Sequence, residues 1–168
     1  MKTLMNIMKF KTSLKESILD NIDDVLSKGD SSLRQLVIDF LSANYNYSGT
    51  KNWQISDTPN KKGLYEVSCH SALGIILMNL HLEELTNGLF EFIECESFIC
   101  SDNKYLKTLK GSPRLVHDYF NCSHCPNLTS LKGCPRKVKT FFCQECGKKF
   151  TESEVKKFCN VDKNRIQV

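Results

Sequence analysis

The sequence predicts an α+β protein. An N-terminal helical hairpin caps a short parallel β-solenoid of about four 22-residue rows, and a small helix and strand close the C-terminal end. Three observations predict it. The first is a period: Phe98, Cys100, Leu106, Leu109, Gly111, Pro113 and Val116 recur 22 residues later as Phe120, Cys122, Leu128, Leu131, Gly133, Pro135 and Val138. The second is the content of a row. Phe-x-Cys alternates as a strand does, and Gly-x-Pro then bends the chain without a ladder donor. The third is size. A row this short cannot bury its own apolar face, whereas stacked rows can.

The elements follow in chain order. Ser13-Leu-Lys-Glu16 reads as a capping box, with Leu14, Ile18, Ile22, Val25 and Leu26 on one helical face and Gly29 as the stop. Ser32-Leu-Arg-Gln35 opens a second helix carrying Leu33, Leu36, Val37, Phe40 and Leu41. Two such helices joined closely form an antiparallel hairpin, and its simplest role is to cap the solenoid. This unit spans residues 1–48. Residues 49–73 form a linker with two strands, Trp53 to Ser56 and Leu64 to Cys69, and Trp53 reads as a core residue at the junction. The rows occupy 74–150. The first is faint, with Ile76, Asn79, Leu82 and Leu85 lying 24 residues before Cys100, Asn103, Leu106 and Leu109. Residues 89–97 break the period and predict a bulge. A third well-formed row begins at Phe141, with Cys143 and Cys146 shifted by 21. Residues 151–168 are the last cap: Thr151-Glu-Ser-Glu154 boxes a short helix through Phe158, and Arg165 to Val168 adds a strand.

These rows resemble two families. They look like the short bacterial-effector type of leucine-rich repeat, with a Pro-x-x-Val segment in place of the outer helix. More closely, Phe120 to Pro135 is similar to repeat proteins of phages and prophages whose rows read Phe-x-Cys-Ser-x-Cys-x-x-Leu-Thr-Ser-Leu-x-Gly-x-Pro. The resemblance covers roughly residues 74–168. It departs from the usual leucine-rich repeat at Asn103-x-x-Leu106 and Cys125-x-x-Leu128, which carry one extra residue before the leucine. It implies a leucine-rich-repeat-like solenoid encoded by a phage or mobile element, acting in the host cytoplasm on host machinery. An inhibitor of a host defence nuclease, anti-CRISPR-like, is its sharpest form.

Composition narrows the function class. The chain has 168 residues, a charged fraction of 25% and nine cysteines. No stretch is long and apolar enough to span a membrane, so the expectation is a cytoplasmic monomer without membrane contact. Residues 1–100 carry 9 Lys/Arg against 13 Asp/Glu, a net of −4, and residues 101–168 carry 14 against 6, a net of +8; together these give the chain's +4. Such asymmetry points the basic end at an acidic partner.

Cys122-x-x-Cys125 and Cys143-x-x-Cys146 are separated by seventeen residues, a spacing that suits one structural Zn²⁺ held by four thiolates. Stacking at about 4.8 Å would bring the two pairs side by side. The other reading is a ladder of small buried thiols, since Cys100 and Asn103 fill the same positions one row earlier and free cysteine is among the most buried residue types. Both readings stand at this level. Cys134 and Cys159 read as buried thiols, and His117 and His124 as exposed or satisfied histidines. There is no phosphate-binding glycine loop, paired-carboxylate motif or nucleophile elbow, and no spacing supports a Cys–His catalytic pair.

Lys110 and Lys132 are repeat equivalents, as are Arg114 and Arg136. Stacking aligns them into two basic rows, which Lys137, Lys139, Lys148 and Lys149 extend and Tyr105 and Tyr119 interleave. The expectation is a non-enzymatic binding module whose contact residues are Lys110, Arg114, Lys132, Arg136, Lys137 and Lys139. Its partner is a host protein or ribonucleoprotein. The alternative is a direct RNA or DNA binder using the stripe and a four-cysteine zinc knuckle. A solvated solenoid face is the plainer reading of the same charges.

Overall fold

In the computed structural model, residues 30–44, 53–70, 74–76, 82, 89–162 and 165–168 are described. The first predicted helix and most of the faint first row lie outside these residues. The described elements are α1 (Asp30–Asn44), β1 (Trp53–Ile55), β2 (Tyr65–Cys69), β3 (Ile75–Ile76), β4 (Phe90–Cys95), β5 (Phe98–Ile99), β6 (Leu115–Val116), β7 (Tyr119–Asn121), β8 (Lys137–Val138), β9 (Thr140–Phe142), α2 (Glu152–Phe158), β10 (Asn160–Val161) and β11 (Ile166–Gln167).

The period becomes a parallel β-solenoid of about four turns of ~23 residues. One sheet runs β11-β9-β7-β5-β3, all parallel, and is the ladder of Phe-x-Cys strands that the register predicts. Pairing puts Ile75, Phe98, Phe120, Phe141 and Ile166 in one column. The Phe98 and Phe120 rings stack at 5.5 Å and 5°, and Phe120 and Phe141 at 5.2 Å and 30°. All three are fully buried. Each such ring contributes on the order of 1.5–3 kcal/mol of burial. Identical rings also reinforce the parallel stack, because offset stacking suits the strand spacing.

The second sheet corrects the expectation of one strand per row. The Pro-x-x-Val segments are strands too, and β1-β2-β4-β6-β8-β10 form a six-stranded sheet in which only β1 is antiparallel. Val116 and Val138 alternate with less buried neighbours, so one buried residue per row suffices to seat a two-residue strand. The linker strand β2 pairs with β4 and so belongs to this sheet. The predicted bulge falls on β4: pairing passes from Val67–Phe92 to Ser68–Glu94 and skips Ile93.

Only one or two residues separate β4 from β5, β6 from β7 and β8 from β9, whereas residues 100–114 and 122–136 form long arms back to the next turn. Leu106, Leu109, Leu128 and Leu131 are buried from these arms. Arm stacks on arm through Leu109 N to Lys132 O at 2.9 Å and Arg136 N to Arg114 O at 2.8 Å. The approach is close enough to require glycine. Gly133 has φ of +91°, and a Cβ there would lie 2.5 Å from Lys110 Cα.

Both ends are closed. Helix α1 begins two residues before the predicted box, so Ser32 sits in its first turn rather than at its N-cap. Its Leu36, Val37 and Leu41 join the common core. Arg34 pins it by donating to the Ile55 and Ser56 carbonyls at 3.0 and 3.1 Å. Trp53 packs on Phe92 with ring centroids 6.4 Å apart, as a junction core residue should. At the other end Thr151 and Glu154 form the predicted capping box, and Arg165–Val168 supplies β11. Among the described residues no helix is long and apolar enough to cross a membrane.

Candidate partner-binding face and cysteine ladder

Stacking aligns the basic residues, and the turn each occupies then decides what it meets. Arg114 leads into β6, and its guanidinium pairs with the Glu91 carboxylate of β4. Glu91 also accepts from Asn60 at 2.7 Å and from Lys62 at 3.2 Å. Arg114 therefore belongs to a neutralised cluster. Lys139 sits 3.4 Å from Asp118, and Lys110 is half-buried. Lys132, Arg136 and Lys137 are exposed, and none is ion-paired among the described residues. Of the six predicted contact residues, these three form the free part of the surface. Lys148 pairs with Glu154. Tyr105 is exposed with the Lys104 ammonium 5.1 Å from its ring, whereas Tyr119 of β7 is turned edge-on to Phe142 of the neighbouring β9.

Glu91 was legible in the sequence only as part of an acidic stretch. Its place as a hub required knowing that β2 and β6 flank β4. The same neighbours set the histidines: His117 Nε2 lies 3.3 Å and His70 Nε2 3.8 Å from the two oxygens of Glu94. His124 Nδ1 lies 3.1 Å from Glu145.

The cysteines occupy two adjacent columns. Cys100, Cys122 and Cys143 follow the strands and are buried. Asn103, Cys125 and Cys146 follow the next bend. Each bend begins with a non-glycine residue of positive φ: Asp102 at +54°, His124 at +55° and Glu145 at +51°. No glycine or asparagine marks this conformation in the sequence at His124 or Glu145, so nothing there announced it. The bend aims the following side chain at the turn below. Cys125 Sγ donates to Cys100 O at 3.3 Å, and Cys146 Sγ donates to Cys122 O at 3.3 Å. Asn103, completely buried, accepts from Tyr105 N at 3.0 Å.

Electrostatics separate the two ladder thiols. Burial pushes Cys125 up to about 11. Cys146 is held down to about 7, first by the Cys122 thiol donating to its sulfur, with the neighbouring Cys125 backbone and His124 adding to the effect. Cys122 is correspondingly raised, chiefly by burial and then by its bonds with Cys143 and Cys146. Among the described residues no group of three or more His, Cys, Asp or Glu side chains is placed to hold a metal ion.

Comparison with family models, with curated proteins and with solved structures returned no match for this chain.

Proposed function

We propose that the chain is a non-enzymatic binding module that presents the exposed cations of its last full turn to an acidic surface on a host protein or ribonucleoprotein. The observation carrying this reading is the difference between turns. Arg114 and Lys139 have carboxylate partners, whereas Lys132, Arg136 and Lys137 stand exposed on a stacked, rigid scaffold. Exposed cations with no carboxylate partner to give up favour association with an acidic surface and steer its approach. The resemblance of the rows to phage repeat proteins supplies the host side of the reading, with inhibition of a defence nuclease as its sharpest form.

Direct nucleic-acid binding is the second reading, favoured by the exposed Tyr105 with Lys104 beside it, since an aromatic face and a cation together can hold an unpaired base. A pull-down from host lysate, with and without nuclease, separates the two. A partner retained after nuclease and lost with Lys132→Glu/Arg136→Glu supports the protein reading. Loss on nuclease treatment, with affinity falling steeply with salt, supports the nucleic-acid reading. Retention by the double variant overturns the protein reading, and retention after nuclease treatment overturns the nucleic-acid reading.

For Cys122, Cys125, Cys143 and Cys146 we favour the thiol ladder over the zinc site. The placement of the sulfurs supports it: Cys125 Sγ lies 3.3 Å from Cys100 O and Cys146 Sγ 3.3 Å from Cys122 O, each against the backbone of the turn before it. Elemental analysis of protein purified without added metal tests this; one zinc per chain overturns it.

A further inference from the structure

We propose that Cys134 and Cys159 are a dithiol site that a low-molecular-weight disulfide converts to an intramolecular cross-link, stapling the C-terminal cap to the solenoid. Cys134 lies in the Gly-x-Pro bend that leads to β8 and is half-buried; Cys159 is the C-cap of α2 and only 2% exposed. They are 25 residues apart in the chain, and the fold brings them together. Asn160 pairs with Lys137, and its N–H donates to Arg136 O at 2.8 Å, which sets Cys159 over the start of β8. Cys159 N donates to Val155 O at 2.9 Å, fixing the end of the helix. The register thus places Cys159 beside Arg136, two residues beyond Cys134, and each thiol shifts the acidity of the other.

The corner is specific to this turn. One turn earlier its repeat equivalent is Ser112, whose buried hydroxyl has no hydrogen-bond partner among the described residues. The position thus does not depend on a side-chain bond, and a cysteine appears where the next element places a second one. The surroundings also divide the labour. The Cys159 S–H holds the more accessible Cys134 below the usual thiol range, while Cys159 itself is raised by that same bond and by burial. Cys134 is the attacking sulfur and Cys159 the resolving one.

The exchange balances. The Cys134 thiolate attacks one sulfur of oxidised glutathione, forming a mixed disulfide and releasing one glutathione thiolate. Cys159 loses its proton, and its sulfur attacks Cys134 Sγ, displacing the second. The protein loses two hydrogens as two thiols are oxidised, and one glutathione disulfide is reduced to two thiols. The closed loop contains α2 and ends one residue before β10, so the helix and the start of β10 stay tethered beside β8 while the bond is intact.

The test incubates the folded full chain with oxidised and reduced glutathione at graded ratios, blocks free thiols and maps disulfides by mass spectrometry. A Cys134–Cys159 bond with the other seven cysteines free is expected, reversed by dithiothreitol. Limited proteolysis should then show slower cleavage within residues 151–159 of the oxidised form. Cys159→Ser should trap glutathione on Cys134, and Cys134→Ser should give neither product. Each outcome is read only on samples whose circular dichroism matches the wild type; Cys134→Ala and Cys159→Ala replace any serine variant that does not fold. The proposal is overturned if the cross-link forms only after denaturation, if Cys122–Cys146 forms in its place, or if Cys134 carries no glutathione in the Cys159 variants.

Discussion

In the turn from Phe98 to Val116, Gly111 has φ of +92° and Asp102 +54°; one turn later Gly133 has +91° and His124 +55°. The backbone repeats closely, and the stacked rings of Phe98 and Phe120 lie within 5° of parallel. The side chains that differ carry the chemistry. Asn103 gives way to Cys125, Ser112 to Cys134, and the paired Arg114 to the exposed Arg136. Repetition fixes the frame, and position in the stack fixes what each side chain meets. The earlier turn lies beside the acidic β4 and is neutralised by it. The later turn lies beside the C-terminal cap and keeps its charge.

The comparison breaks most severely at the shared glycine. Gly133→Ala forces a Cβ against Lys110 Cα and into a left-handed conformation, so it should cost on the order of 2–4 kcal/mol in urea denaturation. A loss below about 1 kcal/mol would show that the arms are not in register.

The ladder position gives the next effect. Asn103→Ala removes a buried acceptor from Tyr105 N and should cost roughly 1–3 kcal/mol. Cys125→Ala loses a weaker sulfur donor and a small volume, for about 1 kcal/mol. Equal losses would remove the distinction between the two turns.

The arginine pair sharpens the electrostatic contrast. Arg114→Ala should lower stability by about 0.5–1 kcal/mol, the range for a partly exposed ion pair. Arg136→Ala should leave stability within about 0.5 kcal/mol of wild type and weaken partner binding. Thermal melts of both variants decide it, and the reverse pattern would sink the proposed surface.

A pH series separates Cys125 from Cys146, successive residues of one column. Alkylation of Cys146 should be half-maximal near pH 7, while Cys125 stays unreactive until the region of pH 11. Because the folded value of Cys146 is depressed, its contribution to stability is complete above the unfolded thiol value, about pH 8.5, and is lost as pH falls through about 7. The melting temperature of wild type minus that of Cys146→Ser should therefore rise between about pH 7 and 8.5. A flat difference would show that Cys122 does not donate to Cys146.

The smallest effect has the opposite sign. His124→Gly relieves a left-handed conformation but frees the unfolded chain, so a net gain of a few tenths of a kcal/mol is expected. Partner binding should be unchanged, since the free cations lie on the arm beyond it.

Periodicity alone determined the stack. Phe98, Phe120 and Phe141 had to share a column, because a 22-residue row with one aromatic strand has nowhere else to bury that ring. The Thr151 box and the bulge near Ile93 were equally legible, being local hydrogen-bond chemistry and a break in a count. The second sheet was not, since two-residue strands such as Leu115–Val116 carry no alternation to detect and exist only because neighbours supply their partners. The charges followed the same division. The sequence aligned Arg114 with Arg136, but only the tertiary structure set Glu91 beside one of them, because an ion pair depends on which strands are neighbours and not on the repeat that both residues share.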